Sequence, residues 1–150
     1  MVEHARNSES KAYKRRWWTL VVLSLSLMIV IVDNTILNVA LPTLQRELGA
    51  TGSELQWMVT AYTLVFAALL FTMGALGDRW GRANALRTGM VVFAGASLAA
   101  MFANNASQLI TARAVMGIGA SMIMPATLAI IMNVFPREER AKAIGLWSAV

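Results

Sequence analysis

The sequence predicts an all-α fold, a polytopic membrane helix bundle with the first four transmembrane helices and the start of a fifth. Of the 150 residues, 57% are hydrophobic and only 14% are charged, whereas soluble domains are about half apolar and about a quarter charged. The apolar residues form long runs, and each run meets or nearly meets the about 20 helical residues that cross a bilayer core. Because backbone groups in lipid must be bonded internally, we expect these runs to be helices.

The predicted helices follow a polar, basic tail that covers residues 1–16. They span about 17–42, 57–77, 84–103 and 108–133, and a fifth begins at about 141. A helix that starts there and stops at Val150 is too short to cross a bilayer. We therefore expect residues 17–150 to form part of the N-terminal bundle of a longer protein.

The lysines and arginines predict the orientation of the helices. Eleven of the 13 fall on one side of the predicted membrane, in the tail, between the second and third helices, and after the fourth. By the positive-inside rule that side is cytoplasmic. The sequence thus predicts a multi-pass protein of the cell (inner) membrane with a cytoplasmic N-terminus. Since these charges serve as topology signals, we expect no nucleic-acid partner.

Several classes of chemistry are disfavoured by the composition. The chain has no cysteine, and its one histidine, His4, lies in the polar tail. Thiol nucleophiles, zinc fingers and disulfide scaffolds all require cysteine. We expect no enzyme activity, no bound metal and no cofactor.

Two charged residues of opposite sign lie inside predicted membrane helices. An ionisable group there is costly and usually faces a partner or a water-filled cavity. At a rise of about 1.5 Å per helical residue, Asp33 lies about 13 Å below Pro42, and Arg113 lies about 7–8 Å below Gln108. Both charges are therefore expected in the outer half of the membrane. An arginine side chain can bridge that difference in depth. Because aspartate exchanges its proton and arginine in practice does not, Asp33 is the candidate proton site, although a static ion pair remains the alternative.

Polar and small residues share a face with each of these charges. Asn34 and Asn38 lie one turn apart on the first helix and give it a polar arc. On the fourth helix, Met116 and Met124 fall on one stripe with Arg113. These residues indicate either the wall of a water-filled path or contacts between packed helices.

The connection between the second and third helices reads GALGDRWGRANAL. It is short, rich in glycine and highly charged, with Gly74, Asp78, Arg79, Gly81 and Arg82 in close succession. We expect the aspartate just before the third helix, where the helix dipole favours an anion. The pattern fits either a tight cytoplasmic hairpin or a charged latch that opens as helix bundles move.

Three strings occur in an order and spacing that resemble a known family. They are DNTILNVALP in the first helix, GALGDRWGR in the connection, and TARAVMGIGASMIMP in the fourth helix. Together they resemble the N-terminal portion of a major facilitator superfamily transporter. More narrowly, they are similar to its fourteen-span drug:proton antiporter branch.

This resemblance implies a function and a set of site residues. The function is proton-coupled, multidrug-type efflux of small amphipathic compounds by alternating access. The implied partners are the lipid bilayer, protons, a small-molecule substrate and the remainder of the transporter chain. The implied roles are proton coupling for Asp33 and Arg113, gating for Gly74, Asp78, Arg79, Gly81 and Arg82, and a substrate cavity for Asn34, Asn38, Tyr62, Met116 and Met124. An importer of a sugar or metabolite, or a truncated membrane fragment that does not transport, remain as alternatives.

Overall fold

The computed structural model describes residues 15–149, and helices cover almost all of them. The helices are α1 (Arg16–Glu47), α2 (Gly52–Trp80), α3 (Arg82–Met101), α4 (Ala106–Val134) and α5 (Arg137–Ser148). No strand occurs within 15–149, so the predicted all-α fold is confirmed. Most of the predicted basic tail, with His4, lies outside the described residues, as does Val150.

Helices α2 and α4 begin at well-formed caps. Thr51 and Glu54 form a capping box, in which the threonine hydroxyl accepts from the Glu54 N–H and the glutamate accepts from the Thr51 N–H. The side chain of Asn105 accepts from the Gln108 N–H at 3.0 Å. Each cap satisfies a backbone donor that the first helical turn leaves unpaired. These polar residues therefore set where each helix begins.

Three helices differ in extent from the expected runs, and one of them, α2, begins at Gly52 rather than at about 57. Helix α1 continues beyond Pro42 to Glu47. A proline inside a helix removes one backbone hydrogen bond, and here that loss does not end the helix. Helix α5 begins at Arg137 rather than at about 141, directly after Pro136. The charged turn at its start has no apolar pattern, so hydrophobic periodicity alone did not include it.

The predicted charged connection between the second and third helices is not a loop. Helix α2 runs through Asp78 and Arg79 to Trp80, and α3 begins at Arg82. Only Gly81 separates them, with φ at 103°, a backbone region that glycine enters at little cost. Asp78 therefore lies in the last turn of α2, and its expected place just before α3 is corrected.

Helix α4 packs at the centre of the bundle and touches the backbones of α2 and α3. A Cβ atom built on Gly117 would lie 2.7 Å from the carbonyl oxygen of Tyr62. One built on Gly119 would lie 2.8 Å from both the Gly89 carbonyl oxygen and the Phe93 nitrogen. Glycine at these positions permits the close approach of backbones that is common between membrane helices. These close contacts fix the position of α4 along its axis relative to α2 and α3.

Three of the helices are long and apolar enough to cross a membrane by length and composition, namely α1, α2 and α4. Four complete spans were expected, and the third expected run is helix α3. Helix α3 has 20 residues, but its first two turns contain Arg82, Asn84 and Arg87, so its composition is less apolar and does not place it with the other three. The apolar part of α3 begins one turn beyond Arg87.

Helix α1 is joined to the α4–α5 corner at one end of the bundle. The Arg16 side chain donates to Glu139 at 2.8 Å. Next to it, the Trp17 ring meets the Phe135 ring edge-on, with centroids 5.4 Å apart. Contacts of this kind hold the start of α1 against α5.

Candidate functional site

The guanidinium of Arg113 is the centre of the candidate site. Arg113 is only 2% exposed, although its side chain carries a full charge. One terminal nitrogen, Nη1, pairs with the Asp33 carboxylate, and the other, Nη2, donates to Asn34 Oδ1 at 2.9 Å. The Nε–H donates to the main-chain carbonyl oxygen of Met58 at 3.2 Å. Arg113 on α4 is thereby joined to α1 twice and to α2 once.

An aromatic ring covers the same guanidinium. The Cζ atom of Arg113 lies 4.5 Å from the centroid of the Tyr62 ring, within the range of a cation–π interaction. The Tyr62 ring is parallel to that of Phe66, with centroids 6.2 Å apart. The face of the tyrosine ring thus supplies a further favourable interaction for a charge that is removed from solvent.

These contacts explain how the charge is tolerated in an apolar helix. A buried ion is stable only where it is paired and its donors are bonded. The carboxylate of Asp33 balances the charge, and the Asn34 and Met58 oxygens each accept a hydrogen bond from one of the other two guanidinium nitrogens. The Asp33 side chain is 23% exposed, against 3% for that of Arg113. The acid is therefore the more exposed partner of the pair within this bundle.

The network borders several cavities. Asp33 lines a recess of about 510 Å³ between α1 and α3, together with Phe93 and Ser97. Asn34 and Tyr62 line a different, open cavity of about 430 Å³, which is bordered by α1, α2, α4 and α5. We call the second one the four-helix cavity. Arg113 contacts Asp33 in the wall of the first cavity and Asn34 and Tyr62 in the wall of the second, so its side chain joins the two walls.

The structure groups some of the predicted cavity residues and separates others. Met124 lines the four-helix cavity with Asn34 and Tyr62. Met116 is only 1% exposed and packs in an apolar cluster, and it borders a different recess, next to Arg113 and Asp33. Asn38 is exposed, and its amide donates to the Asn34 main-chain carbonyl at 2.8 Å. Helical spacing placed Asn34 with Asn38 and Met116 with Met124, and the family resemblance added Tyr62, but neither could say which cavity each residue borders.

The predicted gating residues cluster at the α2–α3 junction. The Arg82 side chain pairs with Asp78 through Nε at 3.1 Å and donates through Nη1 to the Ala129 carbonyl oxygen of α4 at 2.8 Å. A Cβ atom on Gly74 would lie 3.5 Å from Pro125 of α4. Arg79 is exposed. Arg82 thus ties the junction to α4, a contact that the sequence did not reveal.

Sequence reasoning also missed two groups at the site. The Met58 carbonyl accepts from Arg113, and a main-chain acceptor carries no signal in residue type. Trp147 of α5 lines the four-helix cavity. In the sequence, a tryptophan near the start of an apolar run is typical of an interfacial anchor, so only the packing shows that Trp147 lines a cavity.

Comparison with known proteins places this arrangement in context. The family described as Major Facilitator Superfamily matches residues 23–150. The chain is 49% identical to methyl viologen resistance protein SmvA of Salmonella typhimurium over 137 residues, and these residues make up 91% of this chain. It is 42% identical over 137 residues, again 91% of this chain, to puromycin resistance protein pur8 of Streptomyces alboniger. It is 40% identical over 143 residues, or 95% of this chain, to multidrug efflux pump LfrA of Mycolicibacterium smegmatis.

These relatives are much longer proteins. The chain spans about 28% of the length of each of the three. All three are named for drug resistance or efflux, as the resemblance of the three sequence strings implies. The site described above falls inside the matched region.

Proposed function

The chain belongs to the Major Facilitator Superfamily, and we propose that it forms part of a transporter that exports small amphipathic compounds in exchange for protons. Export is supported by the names of the relatives, which include a multidrug efflux pump and resistance proteins. The proposed partners are the bilayer, protons, the exported compound and the rest of a transporter chain. Such a protein moves its substrate without changing its covalent bonds, so we propose no enzyme activity and no cofactor.

The observation that carries the proposal is the network around Arg113. The ion pair with Asp33 is one of several contacts of this guanidinium, which also reaches Asn34 and Tyr62 in the wall of the four-helix cavity. A change in the cavity can therefore alter how firmly Arg113 holds Asp33. Such a link is what exchange of a proton for a compound requires.

The proposed mechanism follows the charge of Asp33. When a proton binds the carboxylate, the ion pair loses its negative partner and the buried Arg113 charge is left with neutral acceptors. An unpaired charge in a low-dielectric interior is unfavourable, so the helices that carry the two residues are driven apart or toward water. Release of the proton on the other side restores the pair. Alternating access of this kind moves one bundle of helices against another around a site near the midplane.

The junction of α2 and α3 has a proposed gating role. The contacts of Arg82 with Asp78 and with the Ala129 carbonyl hold the junction against α4. Because the Asp78–Arg82 pair is exposed, it contributes little to stability and can open and close readily. We propose that Gly74, Asp78, Arg79, Gly81 and Arg82 bias the equilibrium between conformations.

The test replaces Asp33 with asparagine in the full-length protein. We expect Asp33→Asn to abolish proton-driven efflux from energised vesicles while leaving insertion in the membrane intact, because the amide keeps the shape but binds no proton. The matched control is Glu47→Gln, which makes the same change at an exposed acid on the same helix. Undiminished efflux by Asp33→Asn would remove Asp33 from the coupling mechanism.

The proposed location is the cell membrane, with the N-terminus in the cytoplasm. The support is the concentration of lysines and arginines on one side of the helices. Trp17, Trp57 and Trp80 also lie close to helix ends, as interfacial anchors do.

A further inference from the structure

An open apolar groove lies between α1 and α5, at the basic end of the bundle. It has a volume of about 320 Å³ and follows α1 from Trp17 to Met28, with Leu146 of α5 in its other wall. Val21 and Leu25 in its lining are 48% and 53% exposed. Trp17 and Met28 lie about 16 Å apart along the helix, which is about half of a bilayer core of about 30 Å. The α1–α5 groove therefore reaches as deep as the acyl chains of one leaflet.

A positive charge lies beside the outer end of this groove. The Nζ atom of Lys142 is 5.5 Å from the centroid of the Trp17 ring, and Trp17 lines the groove. Lys142 and Leu146 are four residues apart in α5, so they share a face of that helix. The lysine precedes the leucine by one turn, toward the start of α5. The ammonium group is thus held at the end of the groove that is closest to the membrane surface.

Lys142 has no acidic partner within residues 15–149. The ion pairs of that part of the chain do not include it, although Glu138 lies one turn earlier in α5. The neighbouring acid, Glu139, is already bound by two nitrogens of Arg16, at 2.8 and 3.2 Å. Lys142 is also exposed. Its charge is therefore accessible to an anion from outside the bundle.

The groove and the charge together indicate the class of ligand. A long apolar chain fits the lining, and an anionic group at one end of that chain fits the lysine. Basic residues between membrane helices near the surface bind anionic headgroups, and a tryptophan ring favours the level where headgroup and chain meet. A soluble anion would leave the apolar groove unused, and a zwitterionic lipid would bring its own positive charge close to Lys142.

We propose that the α1–α5 groove binds an anionic phospholipid, with one acyl chain along α1 and the phosphate paired with the Lys142 ammonium group. Trp17 then lies between the headgroup and the chain. The inference goes beyond the proposed export, because this lipid stays in the bilayer and is not the transported compound.

The test measures lipid binding to the full-length protein by native mass spectrometry. Protein in detergent is titrated with phosphatidylglycerol, with phosphatidylcholine of the same chains, or with glycerol 3-phosphate, and the Kd of the first bound molecule is determined. We expect the unmodified protein to bind phosphatidylglycerol more tightly than phosphatidylcholine, and glycerol 3-phosphate not at all. Lys142→Gln should raise the Kd of phosphatidylglycerol about 5-fold, because the attraction of one basic group is lost, and should change that of phosphatidylcholine less than twofold.

Two further variants separate a defined site from a general attraction to positive charge. Arg87→Gln is the matched control, because it removes an exposed positive charge near the start of α3, at the same end of the bundle. It should change the Kd of phosphatidylglycerol less than twofold. Lys142→Arg keeps the charge and should bind phosphatidylglycerol within twofold of the unmodified protein.

A photocrosslink locates the bound lipid. p-Benzoylphenylalanine in place of Val21, in the groove, should form more adduct with phosphatidylglycerol than with phosphatidylcholine in bilayers that contain equal amounts of both. The same reporter in place of Val91, which is 72% exposed on α3, should show no such preference.

Four results would overturn the inference. They are equal affinity of the unmodified protein for the two phospholipids, equal losses in Lys142→Gln and Arg87→Gln, a crosslink from position 21 to another segment of the protein instead of to lipid, and binding of glycerol 3-phosphate as tight as that of phosphatidylglycerol. The third result would mean that further helices of the protein cover the groove, and the fourth that the groove contributes nothing to binding.

Discussion

At the scale of single residues, the site depends on one cation that is bonded from several directions. Arg113 takes its acceptors from Asp33 and Asn34 of α1 and from the Met58 carbonyl of α2. The pairing of Asp33 with Arg113 could be anticipated, because two opposite charges at similar depth in apolar helices have few other partners. The Met58 carbonyl could not, since every residue has one and only the fold selects which is used.

The ring that covers this cation offers a residue-scale prediction. Tyr62→Leu should destabilise the protein by about 2 kcal/mol, since a desolvated cation–π interaction is lost. Tyr62→Phe keeps the ring face and should change stability much less. Thermal unfolding of the purified protein, followed by fluorescence-detected size exclusion, measures both. Equal destabilisation by the two variants would show that the hydroxyl, and not the ring face, is what matters.

At the scale of helices, the bundle depends on how closely α4 approaches its neighbours. The small residues of α4 predicted tight packing against other helices. They did not predict which helices those are, because the sequence alone does not show which backbones lie opposite Gly117 and Gly119. The helix ends divide in the same way. The run from 108 to 133 predicted α4 to within a few residues of Ala106–Val134, whereas α5 begins with a charged turn that carries no apolar signal.

Glycine at the α3–α4 contact gives the element-scale prediction. Gly119→Ala should destabilise the protein by about 1–3 kcal/mol, because its Cβ would lie 2.8 Å from backbone atoms of α3, and backbones cannot shift as a side chain does. Gly95→Ala is the matched control, since a Cβ there meets nothing within 4 Å and alanine favours the helix. The melting temperature should fall for the first and hold or rise for the second. A melting temperature unchanged by Gly119→Ala would contradict the close approach.

At the scale of the whole molecule, the bundle leaves much apolar surface uncovered. Val39, Phe71, Val91 and Met101 are each more than 70% exposed, and they come from three different helices. A water-soluble bundle would bury such residues, whereas lipid or further helices can cover them. The composition predicted this surface correctly, but three-dimensional packing was needed to show that the charges of the site lie inside it.

Orientation is the prediction that belongs to the whole molecule. The chain has no native cysteine, so single cysteines can report on which side a position lies. Ser107→Cys, at the start of α4, should react with a membrane-impermeant maleimide added to intact cells. Ala83→Cys, at the start of α3, should react only after the cells are opened, and both positions are exposed. The reverse pattern would place the N-terminus outside.

The junction at Gly81 has a mechanical consequence. One residue with φ at 103° joins α2 to α3, so the adjoining ends of the two helices cannot move far apart. The Arg82 bond to the Ala129 carbonyl at 2.8 Å extends this constraint to α4. A displacement of α4 at Ala129 should therefore carry the adjoining ends of α2 and α3 with it.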